Sequence, residues 1–288
     1  MSTQMKRGIA LAWRPELADL AIELADSGAM DFTEVLAENT APRYLDRRLA
    51  RLVDSRAAVV VHGVTLGLAG ADEPDPARLR HLAAVGQAVR APLISEHVAF
   101  VRAADTPDPL HGNVLEAGHL LPPPRTRDSL AVLVDNIRRA QDALPVPLAV
   151  ENIAALFDWP EDEFDEPDFL SELVDRTGAL LVLDLANLYA SSIATGRDPI
   201  AQLRRFPLSH IAYGHVAGGR YVNDLYLDSH ADDVVPPVLE LVGAYGELCD
   251  AGLLLERDDD LDPVRMAAEL ECVRDALTKG AGRVGVIA

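Results

Sequence analysis

Short apolar runs that end in a histidine or an acidic residue recur along this chain. In the run PLAVEN, Leu148, Ala149 and Val150 lead directly to Glu151 and Asn152. A short apolar run bounded by polar residues is typical of a strand buried on both faces, and a carboxylate at its end needs a partner there. Five further runs of this kind end at the following residues: His62, His97, Asp184, His215 and Glu256.

Segments with helical periodicity lie between these apolar runs. Pro15, for example, opens a stretch with Leu17, Leu20 and Leu24 at helical spacing. Strand–helix alternation, repeated about eight times in this length, predicts an α/β fold, a TIM (β/α)8 barrel in one domain over residues 1–288. The predicted strands cover residues 8–13, 31–37, 57–62, 92–97, 147–152, a run within 178–187 that ends at Asp184, 209–215 and 252–256.

An open doubly wound sheet is the alternative topology. It would need a glycine-rich phosphate fingerprint after the first strand, and the sequence has none there. Two long connections are predicted to be loops in either case. One covers residues 99–124 and contains His111 and His119, for which substrate contact is conceivable but not favoured, and the other carries GHVAGG and LDSHADD.

Composition narrows the class of protein. Hydrophobic residues make up 49% of the 288 residues, which excludes a disordered chain. The net charge of -20, from 46 acidic and 26 basic residues, argues against a nucleic-acid partner. We find no apolar run long enough to span a membrane and no secretory segment, so we expect a cytoplasmic protein without membrane association. Cys249 and Cys272 are predicted to be buried thiols rather than a disulfide.

In a TIM barrel the carboxyl ends of all strands converge on one face, where active sites lie. The residues at the ends of the apolar runs should therefore meet, and the motif DSH adds Asp228 and His230 from the loop after the seventh strand. Four imidazoles and four carboxylates at one mouth favour bound cations, and mixed nitrogen and oxygen donors suit iron, manganese or zinc. Eight donors imply two or three metal ions, and Glu151 could bridge them.

Each of these residues also has an ordinary structural interpretation. His62 could be a satisfied core histidine, Asp184 could cap the helix that follows it, and Glu256 could form a surface ion pair with Arg257. Repetition at equivalent strand ends favours metal binding over these interpretations. His81 is expected on an exposed helix face and His210 on the opposite rim of the barrel.

Several polar residues beside the predicted ligands could orient them or contact substrate. Asn152 and Asn187 follow the ends of two strands, and Glu38 and Asn39 could reach the same mouth from the second strand.

An ordered set of motifs resembles a known family. They are VHGVTLGLAG, LISEHVAF, LLPPPRT, LAVENIA, LVLDLANLY, GHVAG, DSHADDV and LLLERD, and the match extends from Gly8 to about Ala276. The ordered set is similar to the multinuclear non-heme iron-dependent oxidative enzymes. The resemblance implies a TIM barrel with two or three irons in mixed Fe(II) and Fe(III) states and dioxygen as co-substrate. It carries over these metal ligands: His62, His97, Glu151, Asp184, His215, Asp228, His230 and Glu256.

The resemblance also implies the chemistry. The expected substrate is a ribosomally synthesised precursor peptide, modified at a cysteine or at an aspartate or asparagine, and a separate protein often binds the peptide leader. One iron would bind the substrate thiolate while a neighbouring iron activates dioxygen, so we expect Glu151, Asp184 and His215 to act directly in catalysis. The sequence departs from the family at Tyr213, where a glutamate is usual, and at Gly219, where a histidine is frequent. Both positions lie near the expected peptide-facing mouth. The departures therefore bear on the identity of the substrate and leave the predicted metal ligands in place.

Two other functions are compatible with the residues alone. A metal-dependent barrel enzyme of the sugar isomerase or endonuclease type would share strand-end ligands, but would use zinc or manganese and no dioxygen. The second is that of a binding protein that keeps the barrel and a metal ion but catalyses no reaction. The complete set of predicted ligands weighs against this last function.

Overall fold

Eight parallel strands form a closed barrel in the computed structural model, which describes residues 4–104 and 114–284. The first strand pairs with both the second and the last, so the predicted TIM barrel is confirmed and the open-sheet alternative is wrong. The barrel strands are β1 (Ile9–Ala12), β2 (Phe32–Leu36), β3 (Ala58–Gly63), β4 (Ile94–His97), β7 (Leu148–Glu151), β8 (Leu180–Asp184), β9 (Ile211–Ala217) and β12 (Gly252–Glu256).

Helices surround this barrel in the described part of the chain. They are α1 (Ala18–Ser27), α2 (Arg47–Val53), α3 (Pro76–Ala88), α4 (Arg127–Ala143), α5 (Glu166–Thr177), α6 (Leu185–Thr195), α7 (Pro199–Leu203), α8 (Pro236–Leu248) and α9 (Pro263–Val284). Single turns of 3-10 helix cover Pro15–Leu17, Ala37–Asn39 and Leu208–His210. No helix among residues 4–104 and 114–284 is both long and apolar enough to cross a membrane.

The parallel register brings the polar strand ends level with one another. His97 of β4 pairs with Glu151 of β7, and Asp184 of β8 pairs with His215 of β9. The residues before Glu151 and Asp184 are apolar, whereas Ser95 and Glu96 before His97 are polar but buried. The barrel core therefore fixes the height at which each polar side chain enters the mouth.

The two long connections predicted as loops contain β-hairpins. β5 (Phe100–Ala104) pairs with β6 (Val114–Leu121), and β10 (Gly219–Val222) pairs with β11 (Leu225–Asp228). Asn223 and Asp224 both have positive φ, as the two-residue turns that join hairpin strands require, so this dipeptide was the missed signal. Gly219, one of the departures from the family, begins β10. His111 lies outside the described residues.

Two smaller expectations are wrong. Strand β9 continues two residues past His215, to Ala217. Cys249 is buried as expected, but Cys272 is exposed, because its position on α9 faces away from the barrel.

Candidate metal centre at the carboxyl ends of the strands

A cavity of about 590 Å³ opens at the carboxyl ends of the barrel strands. All eight predicted ligands line it or lie against it. His62, His97, Glu151, Asp184, Asp228, His230 and Glu256 line it directly, and His215 contacts Glu151 and Glu256 from below. His119 of β6 also lines this cavity, although its side chain is largely exposed. The sequence alone did not favour contact between His119 and a substrate.

Glu151 is at the centre of the cluster. Its Oε2 lies 3.4 Å from Nε2 of His62 and 3.6 Å from Nε2 of His97. Its Oε1 lies 3.0 Å from Nδ1 of His215. The two oxygens therefore face different imidazoles, which is the arrangement a bridging carboxylate needs.

His215 is completely buried among three carboxylates. Its Nδ1 lies 3.0 Å from Glu151 and 3.2 Å from Glu256, while its Nε2 lies 3.1 Å from Oε2 of Glu34. Glu34 comes from the middle of β2 and was missed by sequence reasoning. A glutamate inside the otherwise apolar run FTEVL was the available signal, because burial of a charge there requires a partner.

Asp184 is held by its own helix and by the neighbouring strand end. Its Oδ1 accepts a hydrogen bond from the backbone N–H of Asn187 at 2.6 Å, so it caps α6 while presenting its other oxygen to the cavity. Asn152 accepts from the backbone N–H of Asp184 at 2.8 Å and donates to its carbonyl at 3.0 Å. Asn187 donates to the carbonyl of Asn152 at 3.2 Å. Both asparagines thus fix the backbone that carries Glu151 and Asp184.

Asp228, the last residue of β11, and His230, in the segment that follows, enter the cavity together. Nε2 of His230 lies 2.8 Å from Asp228, and its Nδ1 lies 3.4 Å from Asp258. Asp258 in turn forms an ion pair with Arg14 at 2.6 Å. His230 has a φ of 51°, which is uncommon for a residue other than glycine and indicates that its surroundings hold it in place.

Arg257 does not form a surface ion pair with Glu256. It is fully buried, and its guanidinium contacts Asp233 at 2.8 Å and Glu269 at 3.0 Å. It also donates to the carbonyl of Ala231 at 3.1 Å. Arg257 therefore ties the segment next to His230 to strand β12.

A hydrogen-bonded chain connects His62 to Glu34 beneath the cavity. Nδ1 of His62 lies 2.8 Å from Oγ of Ser95, which lies 2.9 Å from the hydroxyl of Tyr213. The Tyr213 hydroxyl donates to Glu34, because a carboxylate can only accept. The donors and acceptors along the rest of the chain follow from this bond. Ser95 donates to Tyr213 and accepts from Nδ1 of His62. Nε2 of His62 then faces Oε2 of Glu151 at 3.4 Å.

The electrostatics of the cluster favour ionised groups at the centre. Burial lowers the pKa of His97, but the charges of Glu151 and Glu96 outweigh it and raise this pKa to about 9. Burial likewise opposes protonation of His215 and His230, yet nearby carboxylates raise both pKa values well above the ordinary range. Burial raises the pKa of Glu151, but its three neighbouring histidines outweigh burial and lower it.

Asp184 is the exception among the acidic groups. Burial, reinforced by the charges of Asp228 and Glu151, raises the pKa of Asp184 well above its ordinary value. A cation beside this carboxylate would remove the cause of the shift.

Four groups of side chains in the described residues have donor atoms close enough to share a metal ion. Within each group these atoms lie within 4.8 Å of one another. The groups are His62, His97 and Glu151; Glu34, His215 and Glu256; Glu151, Asp184 and His215; and Asp184, His230 and Glu256. Shared members connect the groups into one cluster, so the geometry suits more than one ion.

Other singled-out residues lie away from the cavity. Glu38 is exposed and accepts hydrogen bonds from Val64 N and Thr65 Oγ1, which fixes the segment after β3. Asn39 lines a separate groove beside α2. His81 is half-buried and bonded to the carbonyl of Ala37 at 2.8 Å, so its predicted exposure is wrong. His210 precedes β9 at the opposite end of the barrel, as predicted.

Fold and site together define a TIM barrel with a candidate multi-ion centre of imidazoles and carboxylates at the carboxyl ends of its strands. The sequence model of the family of RiPP precursor modification enzymes MbnB/TglH/ChrH matches residues 8–278. RiPPs are ribosomally synthesised and post-translationally modified peptides. The chain belongs to this family.

Curated relatives agree with this assignment. A UPF0276 protein of Streptomyces avermitilis is 48% identical over 280 residues, which cover 96% of this chain and 56% of that protein. The chain thus spans about half the length of this relative. A UPF0276 protein of Rhizorhabdus wittichii is 34% identical, with 86% of both chains covered, and one of Caulobacter vibrioides is 30% identical over the full length of both.

Sugar epimerases are among the solved structures with similar folds. An L-ribulose 3-epimerase superposes with a TM-score of 0.57 at 15% identity, covering 99% of this chain and 98% of that one. The D-psicose 3-epimerase of Clostridium cellulolyticum gives 0.54 at 13% identity, covering 98% and 99%. At such identities the similarity shows the barrel fold alone.

Proposed function

We propose that this protein is an iron- and dioxygen-dependent oxidoreductase that modifies a ribosomally synthesised precursor peptide. The target is a cysteine side chain, or alternatively an aspartate or asparagine. The observation that carries this proposal is the cluster itself, in which four imidazoles and five carboxylates meet at the mouth of one barrel. Family membership supplies the class of substrate. In this proposal the enzyme acts in the cytoplasm, and a separate protein presents the peptide leader.

The donor atoms present fit metal ions. Oε2 of Glu151, Oδ2 of Asp184 and Oδ1 of Asp228 are all buried without a hydrogen-bond partner among the described residues. Buried carboxylate oxygens without donors are costly unless a cation satisfies them. Nε2 of His62 lies 3.4 Å from Oε2 of Glu151, so the two atoms are close enough to bind the same ion.

Iron would be held by the eight predicted ligands, and Glu34 is a ninth candidate. Bound iron would supply thiolate binding and dioxygen activation, which no side chain of this cluster can perform alone. Glu151, between three histidines, would fix the spacing of neighbouring ions. Asp184 would turn one oxygen to metal while the other keeps the α6 cap, and His215 would bind from below.

The surrounding residues would orient these ligands and limit access by water. Ser95 orients His62, and Glu96 accepts hydrogen bonds from the backbone of His97 and Leu66, each at 2.8 Å. His62, His97, Glu151, Asp184 and His215 all lie within a few percent of full burial. Residues of β6 and β11 also line the cavity, so both hairpins border the space that a peptide side chain would occupy.

Elemental analysis of protein purified without oxygen tests this proposal. We expect two or three irons per chain, and far less iron in Glu151→Ala. Glu240→Ala is the matched control, because Glu240 is an exposed glutamate on α8 and its loss should leave the iron content unchanged. Oxygen uptake that depends on a peptide substrate would complete the test.

Stoichiometric zinc or manganese with negligible iron would instead favour an isomerase-type enzyme. The epimerase structures share only the barrel fold with this chain. Iron without oxygen uptake on any precursor peptide would favour a barrel that retains metal without turnover. Absence of bound metal in both proteins would contradict the assignment of the cluster.

A further inference from the structure

A second groove lies beside the metal cluster, between the carboxyl end of β1 and helix α2. Its volume is about 350 Å³, and Trp13, Leu36 and Leu49 provide an apolar floor. Arg14 and Leu36 line both this groove and the cavity above the cluster. The two spaces are therefore neighbours, separated only by these two side chains.

An exposed aromatic residue stands at the rim of the groove. Tyr44 is 84% exposed, the largest fraction among the exposed large hydrophobic residues of the described chain. Trp13, by contrast, is 8% exposed, and only its edge reaches the groove. An exposed tyrosine above an apolar floor is a common anchor for a partner side chain, because it adds contact area at little entropic cost.

Two exposed arginines, Arg43 and Arg47, flank the groove-lining segment Tyr44 to Asp46 on an otherwise acidic protein. Residues 43–56 contain five arginines and two aspartates, whereas the whole chain has 26 basic and 46 acidic residues. Arg48 and Arg51 form ion pairs with Asp46 and Asp26. Arg43 and Arg47 are exposed, and neither has an ion pair within the described part of the chain. Their charges are available to an acidic ligand.

We propose that this groove binds an acidic segment of the precursor peptide, which flanks the modified residue and places one large apolar or aromatic side chain against Tyr44 and Trp13. This inference rests on the proposed function. Arg14 and Leu36 border both spaces, so a peptide that crosses these two side chains passes from the groove into the cavity. Arg14 is itself paired with Asp258 at 2.6 Å, which holds its side chain at the boundary between the two spaces.

Fluorescence anisotropy with two labelled peptides tests the groove. The acidic probe is Ac-EDFEDGCGDEFDE-NH2, with acidic flanks on both sides of one cysteine, and the basic probe replaces each acidic residue with lysine. Measurements use the iron-containing protein without oxygen. We expect wild type to prefer the acidic probe at least about tenfold, and we expect Arg43→Glu/Arg47→Glu and Tyr44→Ala each to weaken its binding about tenfold.

Arg204→Glu is the matched control for charge. Arg204 is an exposed arginine at the end of α7, on the side of the barrel away from the cluster. Arg204→Glu changes the net charge by the same amount as Arg47→Glu alone. We therefore expect it to change the affinity for the acidic probe less than about twofold. Equal binding of both probes, no binding of the acidic probe, or equal losses for Arg204→Glu and Arg47→Glu would overturn the proposal.

The outcomes for the groove and for the proposed function are separable. Protein that lacks iron but binds the acidic probe through Arg43 and Arg47 would contradict the oxidase and support the groove. Protein with iron and peptide-dependent oxygen uptake, but no preference between the probes, would support the oxidase and overturn the groove.

Discussion

Ser95 holds His62 in one orientation, with its Oγ 2.8 Å from Nδ1 of the imidazole. The two residues are paired in register on adjacent barrel strands, so the contact follows from the alignment of β3 with β4. Through the hydroxyl of Tyr213 on β9, the same serine is connected to Glu34 on β2. One hydrogen-bonded chain thus sets the tautomer of one candidate ligand and the orientation of another.

Tyr213→Phe should weaken metal binding although Tyr213 offers no metal ligand in this proposal. The variant removes the donor to Glu34 and leaves Ser95 free to reverse its hydrogen bond, so His62 loses its fixed tautomer. Loss of such an orienting partner costs about 10- to 100-fold in metal affinity. Anaerobic Fe(II) titration with a competing chelator measures it.

Tyr245→Phe is the control for loss of a buried hydroxyl. Tyr245 is also fully buried, and its hydroxyl donates to the carbonyl of Gly252 at 3.3 Å, near the start of β12. We expect it to lower thermal stability modestly and leave Fe(II) affinity intact. Equal losses of affinity in the two tyrosine variants would show that Tyr213 acts only through general packing.

Asp184→Asn should separate stability from metal binding. The raised pKa of Asp184, caused first by burial, means that its contribution to stability is present below about pH 3.8 and is lost as pH rises through the folded-state value. Asparagine carries no charge, so it removes this loss of stability at neutral pH. It can still cap α6 through its side-chain oxygen. At pH 7.5 in chelator, the variant should melt no lower than wild type, whereas its metal content should fall. Full metal content in the variant would contradict a ligand role for Asp184.

The fold could be predicted from the sequence because both of its signals are local. Buried parallel strands are continuous apolar runs, and the helices between them show their own periodicity. The ends of β7 and β8 were visible for the same reason, since Glu151 and Asp184 interrupt apolar runs at the point where the backbone leaves the barrel.

The inner half of the site could not be predicted in this way. A strand buried on both faces does not show which side chains point into the barrel, so Glu34 and Ser95 in mid-strand carried no sign that they face His215 and His62. Their contacts depend on register between strands, which is a property of the closed barrel. The β10–β11 hairpin was missed because each of its strands has only four residues and its turn is Asn-Asp rather than Asn-Gly.

Metal binding should release protons and weaken as pH falls. His97, with a pKa of about 9 because carboxylates outweigh burial, is protonated at neutral pH in the metal-free protein, and a metal ion requires the neutral imidazole. Without metal, the stabilisation from this histidine is present below about pH 6.5 and is lost as pH rises through about 9. Metal affinity should therefore rise about tenfold per pH unit for each proton displaced.

Zn(II) titrations between pH 6.5 and 8.5 measure this dependence without interference from iron oxidation. His97→Gln should show a smaller slope of log affinity against pH, together with weaker binding at every pH. His210→Gln is the control, because His210 lies at the opposite end of the barrel, and it should reproduce the wild-type slope. An affinity that does not change across this range would contradict the protonated state of the metal-free cluster.

Glu166→Gln should stabilise the protein at high pH and not at low pH. Burial raises the pKa of Glu166 to about 7, although Arg125 and Arg197 oppose the shift. Because the folded-state value exceeds the unfolded value of about 4.5, the stabilisation is complete below pH 4.5 and is lost as pH rises through 7. Glutamine carries no charge at any pH, so the variant should melt a few degrees above wild type at pH 8 and at nearly the same temperature at pH 5. Glu172→Gln, on the exposed side of the same helix α5, should shift melting equally at both pH values, because Glu172 is half-exposed in an ion pair with Arg176. A constant difference between Glu166→Gln and wild type across pH would show that Glu166 stays ionised in the folded protein.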